Sequence, residues 1–173
     1  MHRSKVGISK NSARSKIANL LGACCYYLIP IQDTFYSGKG ECIGICTLSS
    51  LDLLKEIKNY NAMMESVRIV GRLLSENKGI DSILRFTTMN RKLRIILLCG
   101  DDVMGHFPGQ SIVSLKNNGV DEQKNIIGAK GHFPVLNSSF EDIENFRKQI
   151  DIVNKIGLKD IKIIKSIISN LQR

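Results

Sequence analysis

The chain carries three histidines, His2, His106 and His132, and three prolines, Pro30, Pro108 and Pro134. Two of each fall in one tetrapeptide, Gly-His-Phe-Pro, which occurs at residues 105–108 and again at 131–134. With His2 beside the terminus, imidazole chemistry rests on these two copies, and any site needing three histidines is excluded. The first copy sits in CGDDVMGHFPGQS, residues 99–111. Its glycines 100, 105 and 109 let a large flat ligand approach the backbone, because no Cβ holds it off. A neutral imidazole binds a metal through one nitrogen, and Asp101 or Asp102 can accept a hydrogen bond from the other and so fix the tautomer. Gly109-Gln110-Ser111 opens a helix whose free N–H groups can meet an anionic group. One imidazole falls short of the three protein ligands of a catalytic zinc. It suffices for a macrocyclic cofactor that brings its own metal ligands, a haem or a corrinoid. A histidine in a glycine-rich loop is more often only a hydrogen-bonded structural group. The second copy, GAKGHFP at 128–134, again pairs glycines with a histidine, and a tight turn explains it as well as ligand contact does.

The elements that must hold these loops alternate. Residues 41–48 (ECIGICTL) read as a buried strand, and Ser49 and Ser50 can cap a helix over 51–60. Further periodic stretches run over 63–74 and 80–86. Residues 93–99 (LRIILLC) give the strongest strand signal: continuous, apolar and suited to the centre of a sheet covered on both faces. Pro108 fits the first turn of a helix over 108–118 that stops at Gly119. Residues 125–127 are brief and extended. A long helix is predicted over 140–156, with Ile143, Phe146, Ile150 and Val153 on one stripe. An amphipathic helix follows over 159–171. The alternation predicts an α/β domain of three layers, Rossmann-like, with a largely parallel sheet. Ligands of such sheets sit beyond the carboxyl ends of the strands, where the loop after Cys99 lies. The organisation expected is a basic segment and packing extension over 1–40, the ligand-binding α/β domain over 41–157, and the terminal helix over 158–173.

Composition narrows the function. The chain has 173 residues and a net charge of +9, from 25 Lys and Arg against 16 Asp and Glu. The cations are spread out, aromatics are only 6%, and no basic-aromatic interleaving marks a stacking platform. No nucleic-acid partner is expected. No apolar run reaches the roughly 18–20 residues that span a bilayer. Residues 17–31 follow a basic stretch in the order of a signal peptide. However, Asn19 and Pro30 interrupt the run and no small-residue cleavage site follows, so a packed helix and extension is preferred. The five cysteines (24, 25, 42, 46 and 99) are odd in number and fit a reducing cytoplasm. Cys42 and Cys46 would share one face of a strand. A zinc site from these two and a histidine is disfavoured by the lack of a CxxC pair.

The sequence resembles the corrinoid-carrying A subunit of tetrahydromethanopterin S-methyltransferase. The resemblance rests on CGDDVMGHFPGQS (99–111), NNGVDEQKNIIGAKGHFP (117–134) and FRKQIDIVN (146–154). Weaker agreement covers ICTLSS (45–50) and GRLLSENKGID (71–81). It implies a cobalamin-type cofactor with His106 as lower axial ligand to cobalt. It also implies that Gly105, Gly109, Gln110 and Ser111, with Gly128, Ala129, Gly131 and Pro134 of the second loop, line the corrin or its tail. His132 is spare. The implied function is methyl carriage: cobalt takes a methyl group from a methylated pterin and passes it to a thiol such as coenzyme M. Methyl-transferring protein subunits are the direct partners, and methyl-tetrahydromethanopterin and coenzyme M the indirect ones. The family's full-length member continues into a C-terminal membrane helix. This chain ends in the amphipathic segment 159–173, and a cytoplasmic protein without a transmembrane segment is expected. Met104 stands where common cobalamin modules have the Asp of Asp-x-His-x-x-Gly, which implies a different binding mode. The alternatives are a cofactor-free scaffold or assembly paralogue and, last, a phosphate-binding enzyme using the Gly109-Gln110-Ser111 helix start. The latter lacks the P-loop lysine and GxGxxG spacing.

Overall fold

A computed structural model describes residues 35–172. The expectations for residues 17–31, and for Cys24 and Cys25, lie outside them. The described chain runs β1 (Phe35–Ser37), β2 (Ile43–Cys46), α1 (Leu51–Asn59), α2 (Asn61–Ser66), β3 (Ile69–Gly71), α3 (Lys78–Met89), β4 (Ile95–Leu98), α4 (Pro108–Asn118), α5 (Phe140–Gln149), β5 (Asp151–Asn154) and α6 (Ile161–Leu171). The strands form one sheet in the order β1-β3-β2-β4-β5. Only the edge pair β1–β3 is antiparallel; β3, β2, β4 and β5 are parallel. The expected three-layer α/β fold with a largely parallel sheet is what forms.

Strand alternation builds both cores. On β4, Ile96 and Leu98 face a core closed by Ile80 and Leu84 of α3, Ile112 and Leu115 of α4, and Ile143 and Phe146 of α5. Leu97 and the following Cys99 face the opposite core, closed by Leu53, Leu54 and Ile57 of α1, Met63 of α2, and Ile164 and Ile168 of α6. β4 is therefore covered on both sides, as its unbroken apolar run requires. After β3 the chain returns past β2 to reach β4, so its direction of winding reverses between β2 and β4. This is the crevice where doubly wound sheets bind ligands. The loops after β2 and β4 meet there: Ser49 N donates to the Asp101 carbonyl at 3.0 Å, and Asp101 N donates to Ser50 Oγ at 2.9 Å.

Three local expectations are corrected. The helix predicted over 140–156 ends at Gln149, and Asp151–Asn154 forms the edge strand β5. Ile143 and Phe146 follow the helical stripe, but Ile150 is already extended at φ −108, ψ 127. Pairing with β4 begins at once, through Asp151 N to the Arg94 carbonyl at 2.7 Å. A three-residue step such as Ile150 to Val153 suits a helical stripe, so the short β-branched run was absorbed into it. The stretch 63–74 likewise divides into the end of α2 and strand β3, whose Ile69 and Val70 favour extended backbone. Finally, Cys42 does not share a buried face with Cys46: it precedes β2 and is exposed, while Cys46 is buried.

Burial pushes the thiols of Cys46 and Cys99 up from 9.0 to about 12. At about pH 8 a thiol of that kind is thiolate to about one part in ten thousand, and the thiolate is the nucleophile. Among these residues, iodoacetamide is expected to label Cys42 in the folded protein, and Cys46 and Cys99 only after denaturation, as peptide mapping would read. Both groups favour the fold below about pH 9 and withdraw that support as pH rises towards about 12. The urea midpoint should therefore fall across that alkaline window, and replacing both cysteines by alanine should flatten the fall.

Candidate functional site

The loop between β4 and α4 is built around Asp102. Its carboxylate accepts from Gly109 N at 2.9 Å, Gln110 N at 2.9 Å and Val103 N at 3.0 Å. It thereby caps α4, whose N-cap residue Phe107 has no capping side chain and sits in the left-handed region at φ 44. The N–H groups that the sequence offered to an anion are taken by this carboxylate. Asp101 turns the other way, to Lys159 Nζ at 2.8 Å. Neither aspartate reaches His106.

The group that does is Glu76, from the segment between β3 and α3. His106 Nδ1 lies 2.8 Å from Glu76 Oε2; the imidazole is 44% exposed and the glutamate side chain 1%. The other carboxylate oxygen, Oε1, accepts from the backbone N of Phe133 at 3.0 Å. One buried carboxylate thus holds the histidine of the first loop and the backbone of the second. Sequence reasoning did not single out Glu76.

The two loops meet at several points. Gly131 lies against the first: a Cβ on it would stand 2.4 Å from the His106 carbonyl oxygen and 2.7 Å from Glu76 Cγ. Gln110 uses its whole amide on protein groups. Its Nε2 donates to Ser114 Oγ at 2.8 Å and to the Gly128 carbonyl at 2.9 Å, and its Oε1 accepts from Lys130 N at 2.8 Å. Gly105 adopts φ +86, and a Cβ there would approach His132 Nε2 at 3.9 Å, so the second histidine lies beside the first loop. Pro134 gives its carbonyl to Ile126 N at 2.8 Å, and Ala129 packs on the edge of the α3–α4–α5 core. Gly109 is buried against Leu48 and Ile156. Ser111 is buried too, and its hydroxyl has no hydrogen-bond partner among the described residues. Of the residues expected at a ligand, His106, Gly105 and the tip of the second loop reach the surface, whereas Gly109 and Ser111 lie beneath it.

The far end of the second loop is anchored by Asp81 of α3, a second acid the sequence reading passed over. It is 2% exposed. It accepts from Asn137 N at 3.0 Å, from Ser138 N at 3.0 Å and from Ser138 Oγ at 2.7 Å. Asp81→Ala would strand these donors and is expected to cost about 2–4 kcal/mol, read as a lower urea midpoint. Asp81→Asn should recover part of the loss.

Among the described residues no cluster of three or more His, Cys, Asp or Glu can hold a bare ion. A single half-exposed imidazole, with no partner at Nε2 among those residues, is what a metal already held in a macrocycle needs from a protein. Met104 and Phe133, 89% and 60% exposed, present apolar surface on the two loops. The apolar cavity of about 250 Å³ between the sheet and α3, lined by Gly44, Ile69, Ile83 and Phe86 among others, includes none of the expected ligand residues.

The family described as the A subunit of tetrahydromethanopterin S-methyltransferase matches residues 30–173. The chain belongs to this family. It is 44% identical over 100 residues to the A subunit, form 1, of tetrahydromethanopterin S-methyltransferase from Methanothermobacter thermautotrophicus, covering 57% of this chain and 42% of the relative. It is 37% identical over 123 residues to the A subunit of the Methanocaldococcus jannaschii enzyme, covering 70% and 49%. The A subunit of the "Putative methyltransferase Mtx" of Methanosarcina acetivorans is 29% identical over 143 residues, covering 82% and 68%. The chain thus spans about half or less of the length of the first two relatives. Among the described residues of this member of the tetrahydromethanopterin S-methyltransferase family, no helix is long and apolar enough to cross a membrane.

Proposed function

We propose that this chain is a corrinoid-binding methyl carrier, in which His106 is the protein's ligand to cobalt. A bound corrinoid would supply the metal that takes up and releases the methyl group. The residues around it bind and orient. His106 presents Nε2 outward from the loop after β4, at the end of the sheet where doubly wound folds hold ligands. Gly131 keeps the two loops close, and Gly105, with φ +86 and no side chain, would leave room for a flat ring beside the imidazole. Met104 and Phe133 offer it apolar surface and shield it from water. Gln110, Gly128, Ala129 and Pro134 fix the second loop behind that surface, and Gly109 and Ser111 support the helix start beneath it.

The observation that carries this reading is the half-exposed imidazole held through Nδ1, at a place where no group of three or more metal-ligating side chains forms among the described residues. The names of the relatives, A subunits of a tetrahydromethanopterin S-methyltransferase, support a methyl group moving between a pterin and sulfur with other subunits of a methyltransferase as partners; coenzyme M as the thiol rests on the family resemblance alone. The test is anaerobic reconstitution of the full chain with hydroxocobalamin, followed by gel filtration, cobalt analysis and a visible spectrum. Cobalt co-eluting at about one per chain is the expected result. A colourless, cobalt-free protein peak would overturn the proposal in favour of a cofactor-free scaffold.

A further inference from the structure

We propose that the apolar cavity between the sheet and α3 is a further binding site, for a monocarboxylate with a medium-length hydrocarbon chain, and that Arg72 takes its head. The proposal goes beyond the corrinoid reading and does not depend on it. The cavity measures about 250 Å³. That is just below the roughly 300–1,000 Å³ of drug-sized ligand pockets, so its occupant is small. A glycine opens its floor. On β2, Gly44 stands between Ile43 and Ile45, which face the opposite core, so the side chain it lacks belongs on the cavity's side of the sheet. A Cβ there would stand 3.4 Å from Ile69 Cγ2 and 3.6 Å from Leu93 Cδ1. Ile83 and Phe86 of α3 form the other wall. Of the side chains lining the cavity, only Arg72 and Ser82 carry nitrogen or oxygen. The Ser82 hydroxyl is already engaged: it donates to the Lys78 carbonyl at 2.9 Å and accepts from Arg85 Nη2 at 3.0 Å.

Arg72 selects the ligand. It follows directly on β3, and its guanidinium keeps its charge at any working pH. Among the described residues it makes one hydrogen bond, from Nη2 to the Ser49 carbonyl at 3.2 Å, and no carboxylate pairs with it. Its Nε is buried and has no partner among them. A buried donor on an unpaired cation is costly, and an anionic oxygen is the acceptor that answers both the donor and the charge. The bond to Ser49 already holds the guanidinium in place, so less ordering is lost on binding. The head has to be small and singly charged. One guanidinium balances one negative charge, and apolar walls would leave the further oxygens of a phosphate without donors. A carboxylate meets both conditions, while its chain leaves water for the walls formed by Ile69, Ile83 and Phe86.

The test is calorimetric titration of the full chain with decanoate and with decan-1-ol, which shares the chain and lacks the charge. Both are used below the concentration at which they aggregate. Decanoate should bind at about one per chain, and about 10–100-fold more tightly than the alcohol, the range of a hydrogen bond to a charged group. Arg72→Met replaces the guanidinium by an apolar end and should bind the two equally, at the alcohol's affinity. Nuclear Overhauser contacts from the bound decanoate chain should reach the methyls of Ile83 and the ring of Phe86. A wild type that binds neither ligand, or binds acid and alcohol equally, overturns the proposal. A preference for the acid that survives undiminished in Arg72→Met overturns it too. So do contacts confined to Ile163 of α6, 49% exposed, which would show adsorption on the outer surface. Should Arg72→Met not fold, the two affinities of the wild type and the contacts of the bound chain decide.

Discussion

Gly131→Ala is expected to pull the two loops of the site apart. The new Cβ would stand 2.4 Å from the carbonyl oxygen of His106, 2.7 Å from Glu76 Cγ and 3.0 Å from Glu76 Cδ. None of these can yield cheaply. The first is backbone, and the others belong to a buried carboxylate bonded at both oxygens. Gly131 is not among the glycines with positive φ, so the effect is steric and owes nothing to backbone conformation. The second loop has to move outward, which lengthens the bonds from Phe133 N to Glu76 and from Lys130 N to Gln110. Overpacking of this kind costs about 1–3 kcal/mol, to be read from urea unfolding. Amide exchange at Lys130 and Phe133 should accelerate, while exchange in β4 stays slow. An unchanged urea midpoint together with slow exchange at both amides would show that the loops are not pressed together here.

How far the site could be read from sequence depended on whether its chemistry was local. The start of α4 was legible because Pro108, Gly109 and Gly119 mark its ends in the chain itself, and the helix runs over Pro108–Asn118 as predicted. β4 was legible because only a strand covered on both faces tolerates so long an apolar run. His106 stood out because imidazoles are scarce in this chain. Its partner did not. Glu76 lies 30 positions upstream, in a polar stretch where an acid reads by default as solvated. Asp101 and Asp102 were the natural candidates by proximity in sequence, but backbone donors at the α4 terminus claim one and Lys159 the other. A signal was nonetheless present. The segment 71–81 resembled the family with no chemistry to account for it, and it holds Glu76 and Asp81, the two buried acids that fasten the second loop. Agreement within a polar stretch that lacks an apolar period is how such partners show themselves before the fold is known.

His106→Ala separates ligation from folding, and the two losses should be very unequal. The imidazole is 44% exposed, so little packing goes with it. Glu76 keeps Phe133 N on Oε1 and loses its partner on Oε2, a deficit of about 1–2 kcal/mol that water entering the gap reduces further. The variant should therefore fold, with a urea midpoint only slightly below that of the wild type. Corrinoid binding should suffer far more. Losing even an outer partner of a metal ligand weakens binding by about 10–100-fold, and losing the ligand itself should weaken methylcobalamin binding by at least that factor. With methylcobinamide, which carries no lower base of its own, the visible spectrum in the variant should match the one shown when no nitrogen donor reaches the cobalt. Because the gap left by the ring opens to solvent, added imidazole should enter it and restore both spectrum and affinity. A spectrum and affinity identical to the wild type would remove His106 from the metal. A variant that loses methylcobalamin and is not rescued would mean that the residue shapes the loop and does not ligate.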